Sequence, residues 1–255
     1  MTIALIFAVL MNGTAYFFSD KIALRSSGAV PISREQSPRL YDVMERLAAK
    51  ANLPVPKLYL IPQPAPNAFA TGRNPSHASV AVTQGLMELM NDDELEGVIA
   101  HELSHVRNYD ILTSSIAATL AGTITWIASM GRWGMMLGGW GGRDNGRGGG
   151  GITALLMLIA APIAAAMLQL GISRQREYQA DASGARMVGH PYGLISGLEK
   201  LGAYNKKIPM AISPSTAALC IVAPFAMGQT LAGLFSTHPP LADRIAALRN
   251  MTITR

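Results

Sequence analysis

Cysteine is nearly absent from this chain: Cys220 is the only one in 255 residues. No internal disulfide and no thiolate metal cluster can form, which fits a reducing compartment. Cys220 stands among apolar residues and reads as a small buried hydrophobe. Charge is scarce as well, at 15% of residues against roughly 25% in an ordinary soluble domain. The formal charge is +5, but no basic run and no alternation of basic with aromatic residues occurs, so nucleic acid is not an expected partner. No internal repeat is visible. What the chain has in excess is apolar: 49% hydrophobic residues and a mean hydropathy of +0.25. That is more apolar surface than a soluble core of this size needs, and it makes the lipid bilayer an expected partner. Positive residues flanking apolar segments then account for the basic balance.

Three apolar segments carry that excess. Residues 3–18 are uncharged and are followed by Asp20, Lys21 and Arg25. A signal peptide would need a basic start and a small-residue cleavage site; both are missing, so this segment reads as a retained helix. Residues 111–131 and 152–172 carry no charge, and about 20 residues are enough to cross a bilayer. Between them, residues 132–151 are Gly-rich with scattered Arg and Asp, which predicts a flexible loop. A phosphate-binding loop is excluded there, since no Lys-Ser/Thr follows and no strand precedes. Two spans return the chain to its starting face, so residues 31–110 and 173–255 share one side. Arg and Lys near the segment ends (Lys21, Arg25, Arg34, Arg107, Arg174, Arg176) outnumber Arg132, Arg143 and Arg147 of the loop. This bias predicts a multi-pass protein of the cell membrane with its polar halves facing the cytoplasm. The expected organisation is residues 1–30 as an N-terminal membrane helix, 31–110 as half of a polar domain, 111–172 as a helical hairpin and 173–255 as the other half.

The polar halves have readable elements. Leu40, Val43, Met44 and Leu47 fall on one face of a helix over residues 37–51, which Pro54 and Pro56 would end. Residues 57–62 (KLYLIP) and 78–83 (ASVAVT) read as strands. Asn91, followed by Asp92, Asp93 and Glu94, caps a helix that runs through Leu95, Val98 and Ile99 into His101.

His101-Glu102-Leu103-Ser104-His105 on that helix is the densest chemistry in the chain. Residues four apart lie one turn apart on one face, so both imidazoles can reach a single ion. Zinc, one per chain, is the ion such N and O ligands suit, and Glu102 projects beside that face as a general base toward water. A third ligand is needed. A His shortly after His105 is ruled out by the sequence Val106-Arg107-Asn108-Tyr109-Asp110. Residues 173–186 (SRQREYQADASGAR) offer Glu177, with Asp181 on the same helical face as an acceptor that would orient an imidazole. The competing reading makes Glu177 and Asp181 a solvated acidic face among Arg174, Arg176 and Arg186. The surroundings of His101 are too polar for a site within a lipid-spanning helix. A silent metal-binding scaffold would have no use for Glu102.

Several motifs in order resemble the HtpX family of membrane-bound heat-shock zinc proteases: His101 to His105 with Arg107-Asn108-Tyr109-Asp110, Asn67 to Gly72, residues 173–181, and Ser236-Thr237-His238-Pro239-Pro240. The likeness runs from about Phe17 onward. It implies an α+β fold, mostly α with a small sheet, in which a zincin-like (gluzincin) catalytic domain is combined with transmembrane helices. It also implies an integral membrane endopeptidase that degrades misfolded or damaged membrane proteins under stress and can cleave itself. Members of that family carry a further apolar helix at the N-terminus, where one precedes the catalytic part here. The resemblance carries over His101, His105 and Glu177 as zinc ligands and Glu102 as catalytic. It makes Asn67, Ala68, Phe69 and Ala70 part of a substrate-lining strand, the alternative being a turn that supports the metal helix. His238 would donate a hydrogen bond to the oxyanion of the reaction, or serve only to pack a loop. Arg244 would do the same as His238, or anchor the C-terminal segment.

Overall fold

The computed structural model describes residues 17, 20–21, 23–110, 173–207 and 239–253. Apart from Phe17, the three apolar segments lie outside the described residues, as do the Gly-rich loop, Cys220 and His238. Among the described residues no helix is long and apolar enough to cross a membrane.

Four strands, β1 (Val30–Pro31), β2 (Lys57–Ile61), β3 (Ala68–Thr71) and β4 (Ser79–Thr83), form a mixed sheet in the order β1-β2-β4-β3. β2 and β4 run parallel, with Leu58 beside Val80, while β1 and β3 join the two outer sides antiparallel. β4 is buried along its whole length. Its alternation sends Val80 and Val82 into the main core and Ala81 to the opposite face, as the two-residue period of a strand requires. That opposite face is covered by Ala23 and Leu24, which pack with Ile61 and Phe69.

Helices pack on the first face. α1 (Pro38–Ala51) buries Leu40, Val43, Met44 and Leu47, the face read from its periodicity. It stops before the prolines: Asn52 takes a left-handed conformation (φ 54°) and its N–H caps the carbonyls of Ala48 and Ala49, a role short polar residues fill at helix ends. A short helix α2 (Gln84–Leu89) leads into α3 (Asp92–Arg107). α3 is the central element, packed on β3, α1 and α5 (Tyr192–Lys207). Leu95, Val98, Ile99 and Leu103 of α3 meet Leu194, Leu198 and Leu201 of α5 in one continuous core. Where the two helices cross, a side-chain carbon on Gly97 would lie 2.4 Å from the backbone of Leu194, so glycine is what allows so close an approach. α4 (residues 173–188) precedes α5, and α6 (Leu241–Arg249) packs on α5 from the C-terminal end.

The start of α3 is fixed twice. Asn91 Oδ1 accepts from Glu94 N and Glu94 Oε2 accepts from Asn91 N, each at 2.9 Å, the reciprocal capping box. Glu94 is itself buried and also accepts from Ser196 Oγ at 2.6 Å and Lys200 Nζ at 2.7 Å on α5. Burial alone would raise its pKa, but the hydrogen bonds from Lys200, Ser196 and Asn91 outweigh that and hold it below the usual glutamate range. The helix that carries the site is thus pinned at its head to the core helix beside it.

Candidate active site

Three turns along α3, His101 and His105 direct their Nε2 atoms at each other across 3.2 Å. Two neutral imidazoles set edge to face like this, with ring centroids 4.8 Å apart, satisfy each other poorly; two ligands aimed at one point satisfy a cation well. Glu177 of α4 completes the cluster, its Oε1 3.6 Å from His105 Nε2 and its Oε2 3.7 Å from His101 Nε2. A tetrahedral centre with bonds of about 2.0–2.1 Å sets its ligands about 3.3–3.4 Å apart; one atom from each of the three residues lies within 4.8 Å of the others, so they converge closely enough to gather around such an ion. Among the described residues His101, His105 and Glu177 are the group so arranged.

Each of the three residues is supported from behind. His101 Nδ1 lies 2.9 Å from Asp181 Oδ1, close but not aligned for a linear hydrogen bond. Asp181 is gripped by Arg244 of α6, whose Nε and Nη2 donate to its two oxygens at 2.8 and 2.7 Å. Arg244 Nη1 reaches Glu177 Oε2 at 3.2 Å. All three side chains are buried. Burial would raise the Asp181 pKa, but the Arg244 guanidinium overrides it and lowers the carboxyl to about 2. The same pairing holds the Arg244 pKa above its ordinary value in spite of burial. His105 is supported by Asp110, whose Oδ2 is 2.5 Å from Nδ1. Burial disfavours the imidazolium, yet the Asp110 hydrogen bond and the Glu177 carboxylate raise the His105 pKa. The chain reaches Asp110 by turning at Tyr109 (φ 56°), and Arg176 donates to the Asp110 carbonyl at 2.5 Å. That bond joins the last residue before segment 111–172 to the first turn after it. The two ends therefore meet.

Glu102 sits beside the cluster, buried, with Oε2 accepting from Ala70 N at 2.9 Å. Burial dominates its environment and raises its pKa above the usual glutamate range, the neighbouring imidazoles offsetting part of the effect. Ala70 belongs to β3, the edge of the sheet. Asn67 O accepts from Thr83 N at 2.9 Å, and in an antiparallel ladder alternate residues turn outward. Ala68 and Ala70 therefore direct their backbone groups away from β4, and one of them reaches Glu102. Ala68–Thr71 is thus a strand rather than a turn, and through Ala70 it also touches α3.

The acidic-face reading of Glu177 and Asp181 is wrong: both are buried and turned to α3. Arg244 anchors the C-terminal helix, through Asp181. Sequence reasoning did not assign Asp110, although its position five residues after His105 in Arg107-Asn108-Tyr109-Asp110 was the available signal. Of the motif around His238, residues 236–238 lie outside the described part, which resumes at buried Pro239.

A pair of imidazoles, one buried and one half-buried, a converging carboxylate and a second carboxylate held beside them by an edge strand define a metal-dependent hydrolase. Residues 34–252 match the model of peptidase family M48. The chain is 56% identical over 248 residues to the "Protease HtpX homolog" of Desulfatibacillum aliphaticivorans, covering 97% of this chain and 80% of that protein. It is 47% identical over 253 residues to the protein of the same name from Thermococcus sibiricus, covering 98% and 86%. The crystal structure of S. mikatae Ste24p shares the fold, with a TM-score of 0.63 at 20% identity; this chain covers 57% of that one. The chain belongs to peptidase family M48, alongside the proteins named HtpX homologs, and is a metalloprotease.

Proposed function

We propose that the chain is a membrane-embedded zinc endopeptidase with a zincin-like catalytic domain assembled from residues 31–110 and 173–255. His101, His105 and Glu177 hold one zinc ion per chain, and Glu102 is the general base. The observation that carries this reading is the convergence of His101, His105 and Glu177 with the Glu102 carboxylate fixed beside them. When bound, the ion polarises the scissile carbonyl and lowers the pKa of water near it. Glu102 takes the proton from the attacking water and passes it to the leaving amine; burial holds its pKa above the usual glutamate range, which makes it a stronger base. Ala70 N–H holds one carboxylate oxygen, which fixes the rotamer for that transfer.

An extended substrate pairs with the outer edge of β3, where Asn67, Ala68, Phe69 and Ala70 lie. Main-chain pairing recognises an unfolded segment of any sequence, which suits misfolded membrane proteins as substrates. His238 donates to the developing oxyanion. The polar halves face the cytoplasm, with segments 111–131 and 152–172 crossing the membrane between them. The test is cleavage of casein and self-cleavage by the full chain in detergent. Activity should disappear with a chelator and return with one equivalent of zinc. Cleavage unaffected by complete removal of metal would refute the reading.

A further inference from the structure

Glu177, Asp181 and Gly184 fall on one face of α4: steps of four and then three positions each return to nearly the same side, and together they span about two turns. Glu177 and Asp181 use that face to meet the two histidines. Gly184 uses it to touch α3 itself. A side-chain carbon there would lie 2.9 Å from the backbone N of His101, 3.0 Å from the carbonyl carbon of Ala100 and 3.1 Å from the Cα of His101. The obstacle is helix backbone, which cannot swing aside as a side chain can.

We propose that Gly184 is a positioning residue for the metal site. By allowing α4 to lie directly against α3 at His101, it sets the distance between the carboxylates of one helix and the imidazoles of the other. This rests on the reading of His101, His105 and Glu177 as metal ligands. Bringing an added methyl to ordinary contact with the α3 backbone moves the helices apart by roughly 0.5–1 Å. Metal–ligand distances tolerate only about 0.2 Å. Glu177 stands two turns from Gly184 on the same rigid rod, so it moves with it. The gap is therefore several times too large for Glu177 to keep its bond in unchanged geometry. Asp181 withdraws from His101 Nδ1 by a similar amount, and the loss of such support typically weakens metal binding or activity 10–100-fold.

The experiment compares the full wild-type chain with Gly184→Ala and Leu198→Ala, each stripped by chelator and titrated with zinc and cadmium against a chromophoric competitor. Leu198 is fully buried in the α3–α5 core and remote in sequence from the ligands, so it controls for general loosening. Melting of the stripped proteins and far-UV circular dichroism report folding without metal. Gly184→Ala should fold in the stripped state and bind zinc at least tenfold more weakly than wild type. Its cadmium-to-zinc affinity ratio should rise, because a wider site favours the larger ion. Leu198→Ala should melt lower yet keep its zinc affinity within threefold. Wild-type chain that binds no zinc would defeat the underlying reading. Wild-type binding with unchanged zinc affinity and ion preference in Gly184→Ala would defeat this inference alone. So would a Gly184→Ala chain that fails to fold in the stripped state while Leu198→Ala folds, since Gly184 would then serve packing only.

Discussion

Arg244 offers the most demanding check on the site, because it is buried and holds two of the carboxylates. Replacing it by Met keeps much of its volume and removes its charge. Asp181, buried and 2.7–2.8 Å from the guanidinium, would then be an uncompensated buried anion. Breaking one partner of a buried pair costs about 3–5 kcal/mol. Independently, a carboxyl moved from 3.8 to about 2 carries on the order of 2 kcal/mol at about 1.4 kcal/mol per pH unit. The second figure is smaller because it sets the pairing against the desolvation it offsets. With about 2–4 °C lost per kcal/mol in a chain of this length, Arg244→Met should melt about 5–15 °C below wild type by differential scanning fluorimetry in detergent. Its zinc affinity should fall as well, since Asp181 loses the grip that holds it at His101 Nδ1. The double variant Arg244→Met/Asp181→Asn, which removes both charges, should recover part of the lost melting temperature; the coupling is the double-mutant term. An Arg244→Met protein that melts within about 2 °C of wild type and binds zinc normally would refute the reasoning.

Asp110→Ala should retain most of its stability but lose metal affinity or activity about 10–100-fold, because His105 loses the acceptor at Nδ1; competition titration reads it. Glu94 makes a pH prediction. Its folded pKa is lowered, so its contribution is fully present above the unfolded glutamate value and is lost as pH falls through the lower folded value. Lys200→Met should therefore destabilise the chain at neutral pH and should lose that penalty in acid, as measured by melting temperature from pH 7 to pH 3. For orientation, Tyr192→Cys and Asn145→Cys in a Cys220→Ala background should label oppositely with an impermeant maleimide in spheroplasts. Position 145 should react before lysis and position 192, which is 74% exposed, only after it; the reverse pattern would overturn the topology.

The parts legible in the sequence were those whose cause is local. Leu40, Val43, Met44 and Leu47 announce a helix face by spacing, Asn91 and the acids after it announce the start of α3, and His101 and His105 share a face by their spacing of four. Asp181 followed from asking what a ligating imidazole needs behind it. The illegible parts depend on partners far along the chain. Nothing near Glu94 shows that Lys200, 106 residues away, will neutralise it. Nothing near Asp181 shows that an arginine 63 residues on will clamp it. The stop of α1 at Asn52 rather than at the prolines reflects a choice between two adequate terminators. β3 was ambiguous because four residues are too few to show a period, and its placement comes from its ladder to β4.

The central claim is that Glu102 does chemistry beside a metal it does not hold. It is tested by measuring bound zinc and casein cleavage on one preparation of Glu102→Ala. The expected result is about one zinc per chain, as the three remaining ligands imply, with cleavage reduced to background. A cleaving Glu102→Ala enzyme, or an inactive one that has lost its zinc, would contradict the account.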